Sequence, residues 1–312
     1  MEIDASRSVQ ERNPGPSWGY SVIALVNRSL PWPLMKAILW ASSLVSLCLM
    51  KRQRNHSRVF LESALGRTVT WEDCWRHFAS FSEFLAIRFD AAYGKDPVFE
   101  TDSVSAQRFQ SLVDGTKQSI QGTFHFGNSD LMGFWLSRFD ISVRMVRFRV
   151  GNSSDLDWLE KRFGGKVAFL WVNEPSNIIF ALKEAIDSGH SVAMKCDRVE
   201  HSSKLEKFSF LGKERWFPFT IYHLSILFDL PVSFSFGVPI KARRTRIFTS
   251  EVYRPIGENK REKLKLARIH FKDTLILLEE LVRKYPYQWF NFCDAIPVAE
   301  SSRQAAKDRQ MI

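Results

Sequence analysis

Cysteine is scarce in this chain: only four of its 312 residues are cysteines. None of them forms a C-x-x-C pair, and none lies at metal-ligand spacing from a histidine. These absences argue against a zinc site and against a disulfide framework, and they indicate reduced thiols in a reducing compartment. The cysteines are Cys48, Cys74, Cys196 and Cys293.

A long, uninterrupted apolar run is also missing. Residues 34–50 form an apolar stretch of 17 residues with Lys36 near its start, and at ~1.5 Å per residue they reach about 25 Å, slightly short of a hydrocarbon core of roughly 30 Å. The stretch begins too late for a cleaved signal peptide, and no small-residue cleavage site follows it. Two interpretations stay open: a buried globular helix, or a membrane anchor that spans the bilayer or lies in its interface. For an anchor, the basic residues within 51–58 predict that the following domain is cytoplasmic.

Acidic side chains are fewer than basic ones, 34 against 44, which gives a formal net charge of +10. Such a charge predicts an acidic partner: nucleic acid, anionic lipid or an acidic protein. The basic residues are spread along the chain without a nucleic-acid recognition motif, so a nucleic-acid-binding module is the least favoured class. The aromatic content, with 26 Phe and 10 Trp, favours a membrane interface or an apolar ligand site.

The chain is expected to form a single α/β domain with a mixed or parallel central sheet flanked by helices, plus an N-terminal hydrophobic membrane-associated helix. Short apolar runs alternate with stretches of helical periodicity in the second part of the chain, which is typical of this class. The predicted organisation is a flexible tail over residues 1–17, a membrane-anchoring helical segment over 18–56, the α/β domain over 57–296 and a flexible tail over 297–312.

Helical periodicity covers residues 57–93, and within it Thr70 and Asp73 have the spacing of a capping box, which predicts a helix that begins after Thr70. A strand over residues 119–126 and a helix over 128–139 are predicted next. Further strands are predicted at 142–150, 166–172, 190–196, 231–240 and 244–256, and further helices at 154–163, 175–189, 217–229 and 259–285.

The stretch QSIQGTFHFGNSDLMGFWLSRF, residues 118–139, places His125 and Asp130 where the predicted strand turns into a helix. Reactive groups in open α/β sheets gather at the carboxyl ends of strands. A turn through Gly127 would let Asp130 fold back to the imidazole, fix its tautomer and leave the other nitrogen free as a general base. Backbone N–H groups at the start of the helix would then be available for an oxyanion. By itself the pair is a weak motif, because a histidine five residues before an aspartate is a common chance pattern.

HFGNSDLMG resembles the H-x-G-N-x-[E/D] block of the bacterial lipid A biosynthesis (lauroyl/myristoyl) acyltransferases and of the related phosphatidylinositol mannoside acyltransferases. Four further blocks resemble that family in the same order, and the resemblance covers residues 20–295. They are RFRVGNSSDLDWLEKRFGGKVAF, with Arg149, Asn152, Arg162 and Gly164; LKEAIDSGHSVAMKCDR, with Asp197 and Arg198; KFSFLGKERWFPF; and YPYQWFNF.

The resemblance implies an O-acyltransferase that moves a fatty acyl chain from an acyl-carrier-protein thioester, or a coenzyme A thioester, to a hydroxyl of a membrane lipid or glycolipid. It implies His125 as the general base and Asp130 as its orienting carboxylate, with direct transfer and no acyl-enzyme. It further implies that no metal or organic cofactor is needed, and that the partners are acyl carrier protein, the acceptor lipid and the membrane surface, with no nucleic acid. The implied location is the inner (cytoplasmic) membrane, with the catalytic domain on the cytoplasmic side. The implied substrate-binding residues are Gly127, Asn128, Arg149, Arg162 and Arg198.

The sequence departs from the family pattern near its carboxyl end. Tyr287 stands where the family usually has glutamate, and NFCDAIP follows where the family has a basic stretch. These departures leave the acceptor lipid open. The Phe-Pro-Glu-Gly-Thr-Arg block of glycerol-phosphate acyltransferases, which share the H-x4-D pattern, is missing. The alternative function is a non-catalytic membrane-peripheral binding protein whose basic surface docks on anionic lipid and in which His125 is structural.

Overall fold

The computed structural model describes residues 25, 30–92, 95–115, 118–148, 160–162, 165–172, 178–199, 202–241 and 244–292. The tails predicted over residues 1–17 and 297–312 lie outside these ranges, as do Cys293 and most of the helix predicted over 154–163.

The central feature is a seven-stranded sheet with the order β1-β9-β8-β2-β5-β3-β4, in which β8 and β9 pair antiparallel and the other neighbours pair parallel. A separate antiparallel hairpin consists of β6 and β7. The strands are β1 (Val98–Thr101), β2 (Ile120–Thr123), β3 (Val143–Arg147), β4 (Val167–Trp171), β5 (Ser191–Lys195), β6 (Leu205–Phe210), β7 (Lys213–Pro218), β8 (Val232–Lys241) and β9 (Arg244–Thr249). The helices are α1 (Trp32–Leu49), α2 (Lys51–Leu65), α3 (Trp71–Ala92), α4 (Ser103–Gly115), α5 (Met132–Ser137), α6 (Ile178–Asp187), α7 (Thr220–Phe228) and α8 (Lys260–Lys284).

The predicted α/β class, with a mostly parallel mixed sheet flanked by helices and an apolar helix near the amino terminus, is confirmed. The capping box is confirmed as well, because the Asp73 N–H donates to Thr70 Oγ1 over 3.2 Å and the Thr70 N–H donates to the Asp73 carboxylate over 2.9 Å. Burial and these hydrogen bonds fix the start of α3 at Trp71.

The hairpin of β6 and β7 was not predicted, and its turn explains why. Leu211 and Gly212 both have positive φ, 51° and 71°, which is the geometry of a type I′ hairpin turn. Asn-Gly or Asp-Gly usually signals such a turn, and leucine does not. Leu211 tolerates this conformation here because its side chain is buried and its N–H donates to Glu279 Oε1 over 2.7 Å.

Among the described residues, two large apolar clusters lie on opposite faces of the sheet, and a third, small cluster lies between α1 and α3. Val192 of β5 belongs to the first cluster and its neighbour Ala193 to the second, and successive residues of a strand point to opposite faces. The first cluster is rich in aromatic rings around Phe124, which stacks on Phe236 and on Phe271 of α8. Phe124 immediately precedes His125 in the chain, so this packing fixes the backbone on which the candidate site is built.

Helix α1 packs along α3 with one side only. The side facing the protein buries every fourth residue: Met35, Leu39, Ser43 and Leu47. Glu83 of α3 binds Lys36 over 3.1 Å and accepts a hydrogen bond from the Trp40 indole over 2.5 Å. Among the described residues, Trp32–Leu49 is the one helix that is long and apolar enough to cross a membrane. Length and composition alone are weak evidence for a membrane span, and 22% of this helix is buried inside the protein. The boundary predicted between residues 56 and 57 falls inside α2.

The carboxyl-terminal strap, residues 286–292, is tied to α3 by two polar side chains. His77 Nε2–H donates to the Trp289 carbonyl over 2.5 Å, and because that carbonyl can only accept, His77 Nδ1 accepts from the Ser57 hydroxyl over 2.8 Å. The Tyr287 hydroxyl donates to Asp73 Oδ1 over 2.8 Å. Burial lowers the pKa of His77 to about 4, so the imidazole is neutral at pH 7.

We expect the stability of the protein to fall as the pH is lowered from about 6.5, the pKa of an unfolded histidine. His77 takes up its proton only near pH 4 in the folded state, so the unfolded state binds more protons throughout this window. This histidine therefore costs up to about 1.4 kcal/mol of unfolding free energy per pH unit. His77→Gln removes the titrating group, and its stability should fall less steeply with pH. Urea unfolding of both proteins across the window measures the difference, and equal slopes would contradict the assignment.

Candidate active site

The candidate active site lies at the carboxyl ends of three neighbouring parallel strands. β2 pairs with β5, and β5 pairs with β3. His125 follows β2 by two residues, Asp197 follows β5 by two residues, and Arg147 is the last residue of β3. Because parallel strands end at the same edge of a sheet, residues far apart in the sequence meet here.

His125 and Asp197 form the central contact of the site. Asp197 Oδ1 lies 2.7 Å from His125 Nδ1, and Asp197 Oδ2 accepts the backbone N–H of His125 over 2.8 Å. An ionised carboxylate can only accept, so Nδ1 carries the imidazole proton and Nε2 holds the lone pair. No described residue makes a hydrogen bond to His125 Nε2. The side chain of Asp197 is 1% exposed and that of His125 is 17% exposed, so the carboxylate is buried from solvent and the imidazole remains accessible.

Burial and nearby cations keep the imidazole neutral, although the Asp197 carboxylate raises its pKa. Burial, followed by the charge of Arg198, lowers the pKa of His125 to about 3. Burial also raises the pKa of the Asp197 carboxyl. The hydrogen bonds from the imidazole and the backbone N–H of His125, together with the charges of His125 and Arg198, outweigh burial and lower this pKa overall. At neutral pH the pair is therefore a neutral imidazole held by an ionised carboxylate, and the lone pair on Nε2 is free to accept a proton.

The predicted pairing of His125 with Asp130 is corrected by this geometry. Asp130 binds three cations instead: its Oδ1 lies 2.6 Å from Arg147 and 2.7 Å from Lys195, and its Oδ2 lies 3.0 Å from Arg88. Burial raises the pKa of Asp130, but the three cations outweigh burial and hold it well below its usual range. The turn after His125 points Asp130 toward β3 and α3, so the carboxylate that holds the imidazole comes from the end of β5.

Gly127 and Asn128 hold the loop that follows His125 against β8 and β9. Gly127 has φ +53°, and a Cβ at this position would lie 2.0 Å from the carbonyl oxygen of Gly237. Asn128 is fully buried, its N–H donates to the Gly237 carbonyl over 2.6 Å, and its amide donates to Thr245 Oγ1 over 2.7 Å. The structure therefore places both residues against β8 and β9, where they fix the course of the loop that follows His125.

The arginines expected to bind substrate occupy different places. Arg198 follows Asp197 directly in the chain, and its charge lowers the pKa of both His125 and Asp197. Arg162 donates to the carbonyl of Ala91 at the end of α3 and to Asp96 over 2.7 Å. Arg149, with Asn152 and Gly164 of the same predicted block, lies outside the described residues.

The carboxyl-terminal strap holds both members of the pair, a feature that sequence reasoning missed. The N–H of Phe290 donates to the His125 carbonyl over 2.6 Å, and the Asn291 amide donates to the Asp197 carbonyl over 3.0 Å. The N–H of Gly127 donates to the Gln288 carbonyl over 2.7 Å. The YPYQWFNF block therefore contributes to the site through backbone and amide contacts. Its resemblance to a family block was the only signal of this in the sequence.

The expected oxyanion donors at the start of the helix are partly engaged. The N–H groups of Gly127 and Asn128 already donate to carbonyls of the strap and of β8. The positive charges of Lys195 and Arg198, which lower the pKa of the neighbouring His125, are groups that can stabilise negative charge at this edge. The site can thus take a proton at His125 Nε2 beside a cationic surface. Among the described residues, no three His, Cys, Asp or Glu side chains form a group that could hold a metal ion.

An aromatic cluster borders the site. The ring of Phe290 stacks on Phe84 of α3 with 5.2 Å between centroids, and Phe81 lies 5.5 Å from Phe290 and 5.4 Å from Phe292. Phe290 is also the residue whose N–H binds the His125 carbonyl. Aromatic side chains of α3 and the strap therefore lie next to the loop that bears His125.

No protein-family profile matches this chain, and no curated protein sequence matches it at a significant level.

Proposed function

We propose that the protein is an O-acyltransferase that transfers a fatty acyl chain from a thioester donor to a hydroxyl of a membrane lipid or glycolipid. The observation that carries the proposal is the neutral imidazole of His125, held at Nδ1 by Asp197 and accessible at Nε2. The resemblance of five sequence blocks to the lipid A acyltransferases supports the same reaction. In this proposal a single α/β domain carries the reaction, and Asp197 takes the orienting role that the sequence assigned to Asp130.

The proposed reaction is a direct transfer. His125 Nε2 takes the proton of the acceptor hydroxyl as its oxygen attacks the thioester carbonyl. The tetrahedral intermediate carries a negative charge that the nearby cations stabilise. Its collapse breaks the carbon–sulfur bond, and the proton on Nε2 passes to the leaving thiolate. The products are an ester and a free thiol on acyl carrier protein or coenzyme A, and no acyl-enzyme forms.

The aromatic cluster of Phe81, Phe84, Phe290 and Phe292 supports a fatty acyl substrate. Acyl chains bind in apolar sites lined by aromatic and aliphatic side chains, with few polar groups near the reacting atoms. Phe84 and Phe290 are buried, Phe81 and Phe292 are half-buried, and Phe290 contacts the loop that bears His125. The acyl chain would lie along α3 and the strap, with its carbonyl carbon at the imidazole.

We further propose that α1 docks the protein on the surface of the inner membrane, lying in the interface, with the catalytic domain on the cytoplasmic side. The outward face of α1, formed by Leu34, Ile38, Val45 and Leu49, is apolar and exposed, although the opposite side packs on α3. A helix that spans the bilayer could not keep this packing, because α3 carries the buried polar side chains Asp73, His77 and Asp90. The basic run after α1, Lys51 to Arg58, complements anionic headgroups.

Replacing Ile38 and Val45 together by glutamate is expected to weaken vesicle binding at least about 10-fold, because it removes two apolar side chains from the membrane and adds charge. Co-sedimentation with phosphatidylglycerol vesicles measures this loss. Val104→Glu is a matched control, since Val104 is 53% exposed on α4. Equal vesicle binding by the double variant and the wild type would contradict docking through this face.

The function is tested by incubating the protein with acyl-carrier-protein or coenzyme A thioesters and a total membrane lipid extract. Mass spectrometry then searches for new acyl esters. We expect an acylated lipid that depends on a thioester donor and on the folded protein. If the wild type forms no ester from either donor, the alternative of a non-catalytic membrane-peripheral binding protein replaces the enzyme.

A further inference from the structure

The outward face of α8 carries two exposed isoleucines at the spacing of a helix–helix contact. Ile269 and Ile276 lie seven residues apart and are 51% and 49% exposed. A repeat of seven residues keeps side chains on one line along a helix, which is the spacing of apolar residues in paired helices. The line continues at Glu262 and Arg283, one repeat further at each end, and both are exposed. The opposite side of α8 is buried in the core.

The charged side chains beside this line are sorted by sign. At ~100° of rotation per residue, Lys265 and Lys272 lie on one side of the isoleucines, and Asp273 and Glu280 lie on the other. All four are exposed, and none makes a side-chain hydrogen bond or a salt bridge within the described residues. Opposite charges three or four residues apart would stabilise a single helix, but these four are not spaced for such pairs with one another. Their order therefore points to a partner on this face.

We propose that the protein forms a dimer in which α8 of two copies pack side by side in parallel, around a two-fold axis that runs along the helices. This axis brings Ile269 and Ile276 each against the same residue of the second copy. It also turns the lysine side of each helix toward the acidic side of the other, so Lys272 lies opposite the partner's Asp273, one residue away in height. Because the dimer is symmetric, this ion pair occurs twice.

The two ends of the face fit the same arrangement. Glu262 and Lys265 are three residues apart, and so are Glu280 and Arg283. In a parallel pair, each of these acidic side chains therefore lies within one helical turn of its basic counterpart on the second copy. Charges that flank an apolar line select the partner helix and its direction.

An antiparallel pair centred on the two isoleucines does not fit. Its two-fold axis would set Lys272 opposite Lys272 of the second copy, and Asp273 opposite Asp273. Like charges that face each other across an interface cost free energy. The second copy is thus expected in the parallel direction.

The direction of pairing decides where the two candidate active sites lie. β9 runs antiparallel to β8, so it ends at the sheet edge opposite to His125, and α8 returns from there to the strap that contacts His125. A parallel dimer therefore has both sites at one end, where two copies can dock on one membrane surface. This consequence rests on the proposed docking, whereas the pairing of α8 does not.

Sedimentation equilibrium of the full chain tests the dimer without any acyl transfer. Every protein in the test carries Ile38→Glu and Val45→Glu, so that the apolar face of α1 does not contribute to association. A single helix pair is smaller than a standard interface of about 1,600 Å², so we expect a dissociation constant of about 1–100 μM. A protein that stays monomeric up to about 300 μM would overturn the proposal.

Ile269→Ser and Ile276→Ser together should weaken association at least about 10-fold, because they remove the apolar contact. Val104→Ser on α4, an exposed control, should not change it. Lys272→Asp or Asp273→Lys should each weaken association about 10-fold, because like charges then face each other twice. An equimolar mixture of these two variants should restore it, since each then faces an opposite charge. Equal association by all of these proteins, or no recovery in the mixture, would overturn the proposal.

Disulfide cross-linking tests the direction of the pair. In a chain that also carries Cys48→Ser and Cys293→Ser, Ile276→Cys should form a cross-linked dimer by itself under mild oxidation. A parallel pair places the two copies of this position in contact, as a disulfide requires. In an antiparallel pair the position would lie opposite Ile269 instead. Cross-linking only in a mixture of Ile269→Cys and Ile276→Cys proteins would therefore overturn the parallel dimer.

Discussion

His125→Gln is expected to lower the rate of acyl transfer by about 10²- to 10⁴-fold, the usual contribution of a positioned general base. Glutamine fills a similar volume and can still donate to Asp197, but it offers no basic nitrogen where Nε2 stands. The folded structure should persist, because the loop is held by backbone contacts of Gly127, Asn128 and Phe290. The measurement is the initial rate of ester formation at equal concentrations of folded protein.

His190→Gln is the matched control for this variant. His190 lies at the opposite end of β5 from Asp197, beside Arg144 at 2.8 Å. Its replacement should leave the rate of ester formation unchanged. A full loss of activity in both variants would show that the loss does not come from the base, and an active His125→Gln would place the base elsewhere.

Asp130→Asn is expected to destabilise the protein by about 3–5 kcal/mol, the usual cost when one partner of a buried ion pair is removed. Asp130 is 3% exposed, and its contacts with Arg147, Lys195 and Arg88 all lose the charge that compensates those cations. Urea unfolding at pH 7 measures this change in the free energy of unfolding. The variant distinguishes two roles for Asp130, as the partner of these cations or as the carboxylate that orients His125. A carboxylate that only oriented His125 would affect the rate of ester formation more than the free energy of unfolding.

Asp140→Asn provides the comparison for an exposed pair. Asp140 contacts Lys166 over 2.9 Å, but the two side chains are 75% and 51% exposed. Pairs in water contribute at most about 1 kcal/mol, so the stability should change little. If Asp130→Asn were as stable as Asp140→Asn, the cation cluster would not be held by Asp130.

Local patterns predicted much of the fold. The strand predicted over residues 119–126 and the helix predicted over 128–139 follow from the apolar run and the turn residues, and shorter elements, β2 and α5, are found there. The helix α8, predicted at residues 259–285, begins after Asn259, whose side chain accepts the Glu262 N–H. In each case the signal lies within a few residues of its effect, which is why one sequence suffices.

The pairing of strands could not be predicted in the same way. Asp197 lies 72 residues after His125, and the two meet only because β2 and β5 are neighbours in the sheet. The order of strands in a sheet is set by long-range packing, so a nearby carboxylate at a suitable spacing misled the assignment of the partner. A usable signal was present: Asp197 stands two residues after its strand, as His125 does, and carboxyl ends of parallel strands converge.

The catalytic pairing of His125 with Asp197 is the claim on which the proposed function depends, and the rate of ester formation by Asp197→Asn tests it most directly. Asparagine keeps the shape but removes the charge that holds the Nδ1 proton, so the rate should fall at least about 100-fold with the fold intact. Asp187→Asn, on the exposed end of α6, should keep the wild-type rate. A folded Asp197→Asn protein with the wild-type rate would contradict the pairing and, with it, this account of the site.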